Sequence, residues 1–194
     1  MLLVVLTVNI STLKGIHGTT KYHAANISVN GFVLSPTGKI GKAGKGIYFW
    51  YYAQDRTTAI HCAETWSSFA LAKGFYDKGK DCKIVKFDVH IESDEEKVLD
   101  FDAQMRESFY TAFPIGEYKE RSYGAKLDLF IEELEKNLNF QFNLLKISLS
   151  VPNLGQNVAF SNSFLAIIVK NEVDIKISPV PPEPETSDMS IIIC

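Results

Sequence analysis

Cysteine is scarce and unpatterned. The three cysteines, Cys62, Cys82 and Cys194, include no C-x-x-C pair. That argues against a thiolate metal site or a disulfide framework, makes a reducing cytoplasm the simplest home, and leaves Cys62 and Cys82 as small core residues. Charge of one sign is lacking too: 20 Lys and Arg stand against 23 Asp and Glu, for a net charge of −3. No global basic field is therefore available to hold nucleic acid, although a local groove is not excluded. No apolar run reaches the roughly 20 residues that span a bilayer. The stretch M-L-L-V-V-L-T-V-N-I at 1–10 has no Lys or Arg ahead of it and no clean small-x-small site behind it. Its β-branched content reads as a buried strand rather than a signal peptide. No internal repeat is visible.

What is present suits one domain with a sizeable core: 194 residues, 46% of them hydrophobic. The domain is read as 1–177, with a helical insertion at 94–142. From Ser178 the composition shifts to Pro179, Pro181, Pro182 and Pro184 with acids between, an extended tail at 178–194 that ends in Ile191-Ile192-Ile193-Cys194. Strands are predicted at Thr12–Gly18, Ile47–Tyr52, Cys82–Ile91, Leu144–Val151 and Phe164–Val169. Helices are predicted at Tyr22–Val29, capped by Thr19 or Thr20 and closed by Asn30-Gly31, and at Gln54–Lys73, closed by Gly74. Asp94–Tyr110 and Lys126–Leu138 also show helical periodicity, the latter through Leu127, Phe130, Ile131 and Leu134. Short strands interleaved with helices, without regular alternation, predict an α+β fold.

The most informative stretch runs from Gly15 to Cys62. It contains His17-Gly18-Thr19, then Asn30-Gly31-Phe32, then Gly44-Lys45-Gly46-Ile47-Tyr48-Phe49. A glycine after a strand-end histidine leaves bare main chain on which a flat group can lie. The block from Gly38 to Gly46 holds glycines at 38, 41, 44 and 46 and reads as a mobile flap feeding a strand that carries a tyrosine. In this order and spacing the three pieces resemble the catalytic core of the poly(ADP-ribose) polymerase-like, diphtheria-toxin-like ADP-ribosyltransferases of the His-Tyr-Glu type. The match is strong over about a quarter of the chain. A lone H-G-T is a weak signal; three independent pieces coinciding are a strong one.

The resemblance implies two packed mixed sheets forming an NAD cleft with flanking helices, and no metal. NAD would be the substrate and a macromolecule, protein or nucleic acid, the acceptor of one ADP-ribose. A free-standing domain of this kind suits a small bacterial toxin or phage-defence effector, and the tail would suit an antitoxin or chaperone. Carried over residue by residue, His17 bonds a ribose hydroxyl, Gly18 holds the carboxamide through its backbone, and Thr19 completes the motif at the cofactor. Tyr48 stacks on nicotinamide. Thr58 takes the place of a small hydroxyl residue on the carboxamide. His61 takes the place of a second stacking aromatic, a departure from tyrosine that brings a pH-dependent charge.

The third catalytic position departs further. Aligning Val169-Lys170-Asn171 and Ile175 with the family's late strand puts Ala166 where a carboxylate, or a glutamine in some relatives, is expected. Alanine cannot stabilise an oxocarbenium-like transition state. Three readings stand: an inactivating substitution, which the otherwise intact strand favours; an NAD binder that has lost activity; or a different register, with Glu172, Asp174 or Asn162 serving instead.

Other residues have plainer readings. His23 and His90 read as surface residues, and Tyr51 and Tyr52 as strand packing. Lys39, Lys42 and Lys45 form a solvated flap or steer the pyrophosphate. The mixture of Arg106, Lys119, Arg121 and Lys126 with Phe109, Tyr110, Phe113, Tyr118 and Tyr123 reads first as a packed helical insertion and second as a target-binding patch. The alternative function class is a binding module: an inactive NAD or ADP-ribose reader, or a scaffold that docks partners through its tail.

Overall fold

The computed structural model describes residues 9–34, 41–76, 79–119, 122–152 and 163–181. Within them the fold is α+β. In chain order the elements are β1 (Ile10–Thr20), α1 (Lys21–Asn30), β2 (Ile47–Tyr52), α2 (Thr57–Ala72), β3 (Ile84–Asp94), a 3-10 turn (Glu95–Lys97), β4 (Val98–Asp100), α3 (Ala103–Ala112), α4 (Tyr123–Leu138), β5 (Leu144–Ser150), β6 (Ser163–Val169) and β7 (Asp174–Pro179). The seven strands form one mixed sheet in the order β4-β5-β6-β2-β1-β3-β7. Among the described strands only β4 and β5 run parallel.

The resemblance implies two sheets, whereas the described strands hydrogen-bond into one. Its two halves are joined thinly. β1 meets β2 through Lys14–Tyr52, Gly15–Tyr51 and Ile16–Trp50, but meets β3 along its whole length from Ile10 to Thr20.

Side chains alternate across the sheet, so each strand feeds two cores. On one face Tyr48, Trp50, Ala166 and Ile168 pack beneath α3 and α4, around Phe109, Leu127 and Phe130. On the same face α2 covers Ile16 and Tyr52 with Ala59 and Ala63. On the other face Leu13, Phe49, Phe87, Val89 and Ile167 pack with Ala24 of α1. Each such large apolar side chain contributes about 2 kcal/mol on burial, so the site described below sits between two well-founded cores. The aromatics of the predicted insertion belong to the first core: Tyr110, Phe113, Tyr118 and Tyr123 pack around fully buried Phe109. This favours the packing reading over a target-binding patch.

Several expectations are corrected. The segment from Asp94 is not helical at first: β3 continues to Asp94, and Val98–Asp100 pairs parallel with Leu144–Lys146. The helix starts only after Asp102, whose carboxylate accepts from Met105 N–H at 2.8 Å. The sheet extends beyond 177, because β7 pairs with β3 from Glu92–Asp174 to Phe87–Pro179. Its alternating Asp174-Ile175-Lys176-Ile177 ends at a proline, which is tolerated on an edge strand. Cys62 and Cys82 are both buried, as read; Cys82 is disulfide-bonded, and among the described residues Cys62 is a free thiol. The predicted strand at 1–10 lies almost wholly outside the described residues. Among the described residues no helix is long and apolar enough to cross a membrane, and no group of three or more His, Cys, Asp or Glu could hold a metal ion.

Candidate functional site

β1 and β2 part company at the motif histidine. Lys21 N–H donates to Lys83 O at 2.8 Å. In the antiparallel alternation this assigns the odd-numbered residues of β1 to bonds with β3 and the even-numbered ones to the β2 side. The β1–β2 ladder ends at Ile16–Trp50. Its next rung would join Gly18 to Tyr48. Instead the ring of His17 bonds the Tyr48 carbonyl, with Nδ1 2.9 Å from the oxygen. The Gly18–Tyr48 pair therefore lies outside the β1–β2 ladder, and the alternation assigns the N–H and C=O of Gly18 to the β2 side.

The carbonyl accepts only, so Nδ1 carries the proton and Nε2 holds a lone pair. Burial holds the His17 pKa below its ordinary value of 6.5, against the Tyr48 carbonyl, which raises it. The imidazole is therefore neutral near pH 7, with Nε2 fit to accept from a hydroxyl. Among the described residues Nε2 has no partner. The ring is wedged edge-on by Phe32, at 5.0 Å and 77°, and tilted against Phe49 at 5.7 Å. Phe32 in turn meets Phe49 and Phe87 edge-on. The asparagine-glycine-phenylalanine piece thus supplies the wedge that orients His17. All three sequence pieces converge on this ring.

The Tyr48 ring lies elsewhere. His17 pairs with Phe87 and belongs to the face of Phe49, whereas Tyr48 packs with the opposite face. The expected pinch of nicotinamide between Tyr48 and the main chain beside His17 therefore finds the two side chains on opposite faces of the sheet. The Tyr48 hydroxyl accepts from Ala43 N–H at 3.0 Å and donates to Gly44 O at 2.6 Å. Burial raises its pKa, with the Asp128 charge adding to the effect. A Cβ at Gly41 would come within 2.4 Å of this hydroxyl, so the close approach requires glycine there.

The same loop is gripped from the other side. Lys170 Nζ donates to Lys45 O at 2.7 Å and pairs with Asp128 at 2.5 Å, while Lys45 N–H donates to Asp128 Oδ2 at 2.9 Å. Lys42 reaches Ser150 Oγ at 3.1 Å. Residues 41–46 are therefore pinned rather than a free flap. Lys39 and Gly38 lie outside the described residues.

The remaining expected site residues are dispersed. Gly18 lacks a Cβ because α2 presses on it: a Cβ would lie 2.5 Å from both Ala63 O and Ser67 Oγ. No ligand can lie on that side of the residue, and only its in-plane N–H and C=O remain available. Thr19 is buried at 4% exposure. Thr58 and His61 are exposed on α2; His61 lines an outward groove with Glu64, Thr65, Ser68, Phe69 and Ala72. Ala166 pairs with Trp50 and Ile147 and is 1% exposed, on the face of Tyr48. Glu172 and Asp174 are exposed, and Asn162 lies outside the described residues.

Two polar clusters were missed in the sequence. One is Asp128–Lys170. Its only signal was an acid embedded in the apolar stripe of α4, next to Leu127. The other joins Tyr52, whose hydroxyl donates to Asp88 at 2.6 Å, to Arg56, which reaches the same carboxylate at 2.8 Å. Burial and the carboxylate push the Tyr52 pKa up to about 12.

No family model matches the chain, and no curated protein or solved structure matches it.

Proposed function

We propose that the chain is an NAD-binding domain of the His-Tyr-Glu ADP-ribosyltransferase type, built for mono-ADP-ribosyl transfer to a macromolecular acceptor, in which Ala166 disables the chemical step. The observation that carries this reading is the open rung at Gly18 beside a neutral, wedged His17. A carboxamide has one N–H donor face and one carbonyl acceptor, the complement of the Gly18 main chain. The Nε2 lone pair of His17 suits a ribose hydroxyl. Together they would hold the two ends of a nicotinamide riboside.

Breaking the nicotinamide–ribose bond needs negative charge near a developing cation. Ala166 offers none, and its cross-strand partner Trp50 sits on the same face. The burial of Ala166 favours the second reading, an NAD or ADP-ribose reader without turnover, for this sequence as it stands. A cytoplasmic toxin or phage-defence role, and a partner docked on the tail, rest on the resemblance and the composition alone.

Calorimetry with NAD and with nicotinamide tests the binding claim. Binding by the chain, weakened tenfold or more in His17→Ala, is expected; this corresponds to the loss of one well-formed bond, about 1.4 kcal/mol. Equal binding by the two proteins, or none by either, would overturn the assignment.

A further inference from the structure

We propose that the free edge of β7 docks a second copy of this chain, the two sheets joining by antiparallel pairing of β7 with its twin about a two-fold axis at Ile175. β7 ends the sheet, and among the described residues no strand pairs with its outer side. The opposite edge, β4, is three residues long. β7 runs for six, Asp174-Ile175-Lys176-Ile177-Ser178-Pro179, and its sequence complements itself. This interface is independent of the NAD reading.

The alternation of backbone bonds fixes which groups face outward. Val180 N–H donates to Lys86 O at 3.0 Å, one step beyond the Phe87–Pro179 pair. Even-numbered residues of β7 therefore bond β3, and odd-numbered ones turn their N–H and C=O to the free edge. The other side of β3 agrees. Lys21 N–H donates to Lys83 O, which gives the odd-numbered residues of β3 to β1 and leaves the even-numbered ones for β7. Ile175 and Ile177 thus each offer one donor and one acceptor outward, while Pro179 offers an acceptor alone.

The side chains match the same axis. Asp174, Lys176 and Ser178 are exposed on one face; Ile175 and Ile177 are half-buried on the other, against the core of Phe49, Phe87 and Val89. With the two-fold at Ile175, Asp174 falls opposite the partner's Lys176, and Lys176 opposite the partner's Asp174. Ile175 meets the partner's Ile175 and Ile177 meets the partner's Val173, which carries the apolar row across the junction. Each copy also holds an unbalanced acid. Asp174 pairs in register with Glu92, a like-charge cross-strand pair that costs stability. Lys176 puts its ammonium on Glu92 at 2.5 Å, so the Asp174 carboxylate is the member left to take a cation from outside.

Neighbouring registers lose these matches. A two-fold at Asp174 or Lys176 opposes like charges on the axis itself. One at Val173 sets Asp174 against the partner's Glu172. One at Ile177 sets Ile175 against the partner's Pro179, and a proline has no N–H to give. Lysine and proline on an edge strand ordinarily discourage pairing. In the register at Ile175 the lysine is opposed by an aspartate, and Pro179 lies past the end of the ladder, where its missing donor is not required.

One short strand from each copy makes a contact of the small, transient class, so sedimentation equilibrium of the whole chain should cover about 1 μM to 1 mM. The mass should rise with concentration from 21.7 kDa toward twice that value. Asp174→Lys and Lys176→Asp, at exposed positions, each oppose like charges across the axis, and each should stay monomeric alone. Mixed in equal amounts they restore two opposite-charge pairs and should form the heterodimer. In the native chain, amide exchange at Ile175 and Ile177 should slow as concentration rises. A mass of one chain throughout, whether the edge is bare or covered by another part of the same chain, would overturn the proposal. So would dimers of both single variants, which place the contact elsewhere, a mixture that stays monomeric, or exchange at the two isoleucines unchanged by concentration.

Discussion

His17 Nδ1 and the Tyr48 carbonyl, 2.9 Å apart, end the β1–β2 ladder one rung early. A side chain takes the acceptor that a backbone amide would otherwise use, and the β1–β2 pairing stops at Ile16–Trp50. The bond also fixes the tautomer, leaving the Nε2 lone pair as the acceptor of the ring.

This contact makes a pH prediction. Burial lowers the His17 pKa from 6.5, so the unfolded chain binds more protons than the folded one below that pH. For this group stability is flat above pH 6.5 and falls as pH drops through it toward the lower folded value. His17→Asn keeps an N–H donor near the Nδ1 position without titrating. Thermal melts between pH 8 and 5 should show a shallower acid decline for His17→Asn than for the native chain. Parallel curves would rule out a buried neutral imidazole.

Tyr48→Phe removes one hydroxyl that serves two main-chain groups, Ala43 N–H and Gly44 O. Ala43 is fully buried, so its amide loses a partner that water cannot readily replace. The expected cost is about 1–2 kcal/mol, with faster hydrogen exchange confined to residues 41–46. Unchanged exchange there would mean that Lys170 and Asp128 hold the loop unaided.

The Asp128–Lys170 pair is largely shielded, its side chains 16% and 11% exposed. Asp128→Ala leaves the Lys170 ammonium with only carbonyl partners and strips the acceptor from Lys45 N–H. A loss of about 3 kcal/mol in denaturant melts is expected. Asp128→Leu with Lys170→Met removes both charges and should recover much of that loss. A double variant no more stable than the single one would show that the ion pair itself, rather than the avoided orphan charge, stabilises the loop.

Local order was readable where the pattern was self-contained. The strand at Ile47–Tyr52 and the helix ending at Leu138 follow from β-branched and aromatic content and from the stripe of Leu127, Phe130 and Ile131. Elements that depend on a distant partner were not readable. Val98–Asp100 is too short to signal a strand until Leu144–Lys146 lies beside it, and the charged run at 92–96 imitates a helix start. The three motif pieces are legible as words. The sequence has no signal for which face of the sheet each would take, because face depends on register. That is why His17 and Tyr48 read as two sides of one pocket and stand on opposite faces, and why bare Gly18 proves to be covered by α2.

On the proposed reading, the surroundings of Ala166 decide whether a carboxylate placed there could support NAD turnover. Beside Trp50 and Ile147 in the register and 1% exposed, it gives a new carboxylate little room and little water. In Ala166→Glu alone, burial should push the carboxyl pKa up and the melting temperature down. A neutral acid stabilises no cation, so NAD turnover should stay low. Pairing it with Trp50→Ala vacates the cross-strand neighbour, admits water and lets the carboxylate ionise. The double variant should then hydrolyse NAD or label an acceptor, measured by nicotinamide release, while Trp50→Ala alone should not. Turnover absent from the double variant, with NAD binding intact, would place the catalytic position elsewhere. Turnover in Ala166→Glu alone would show that Trp50 does not seal the site.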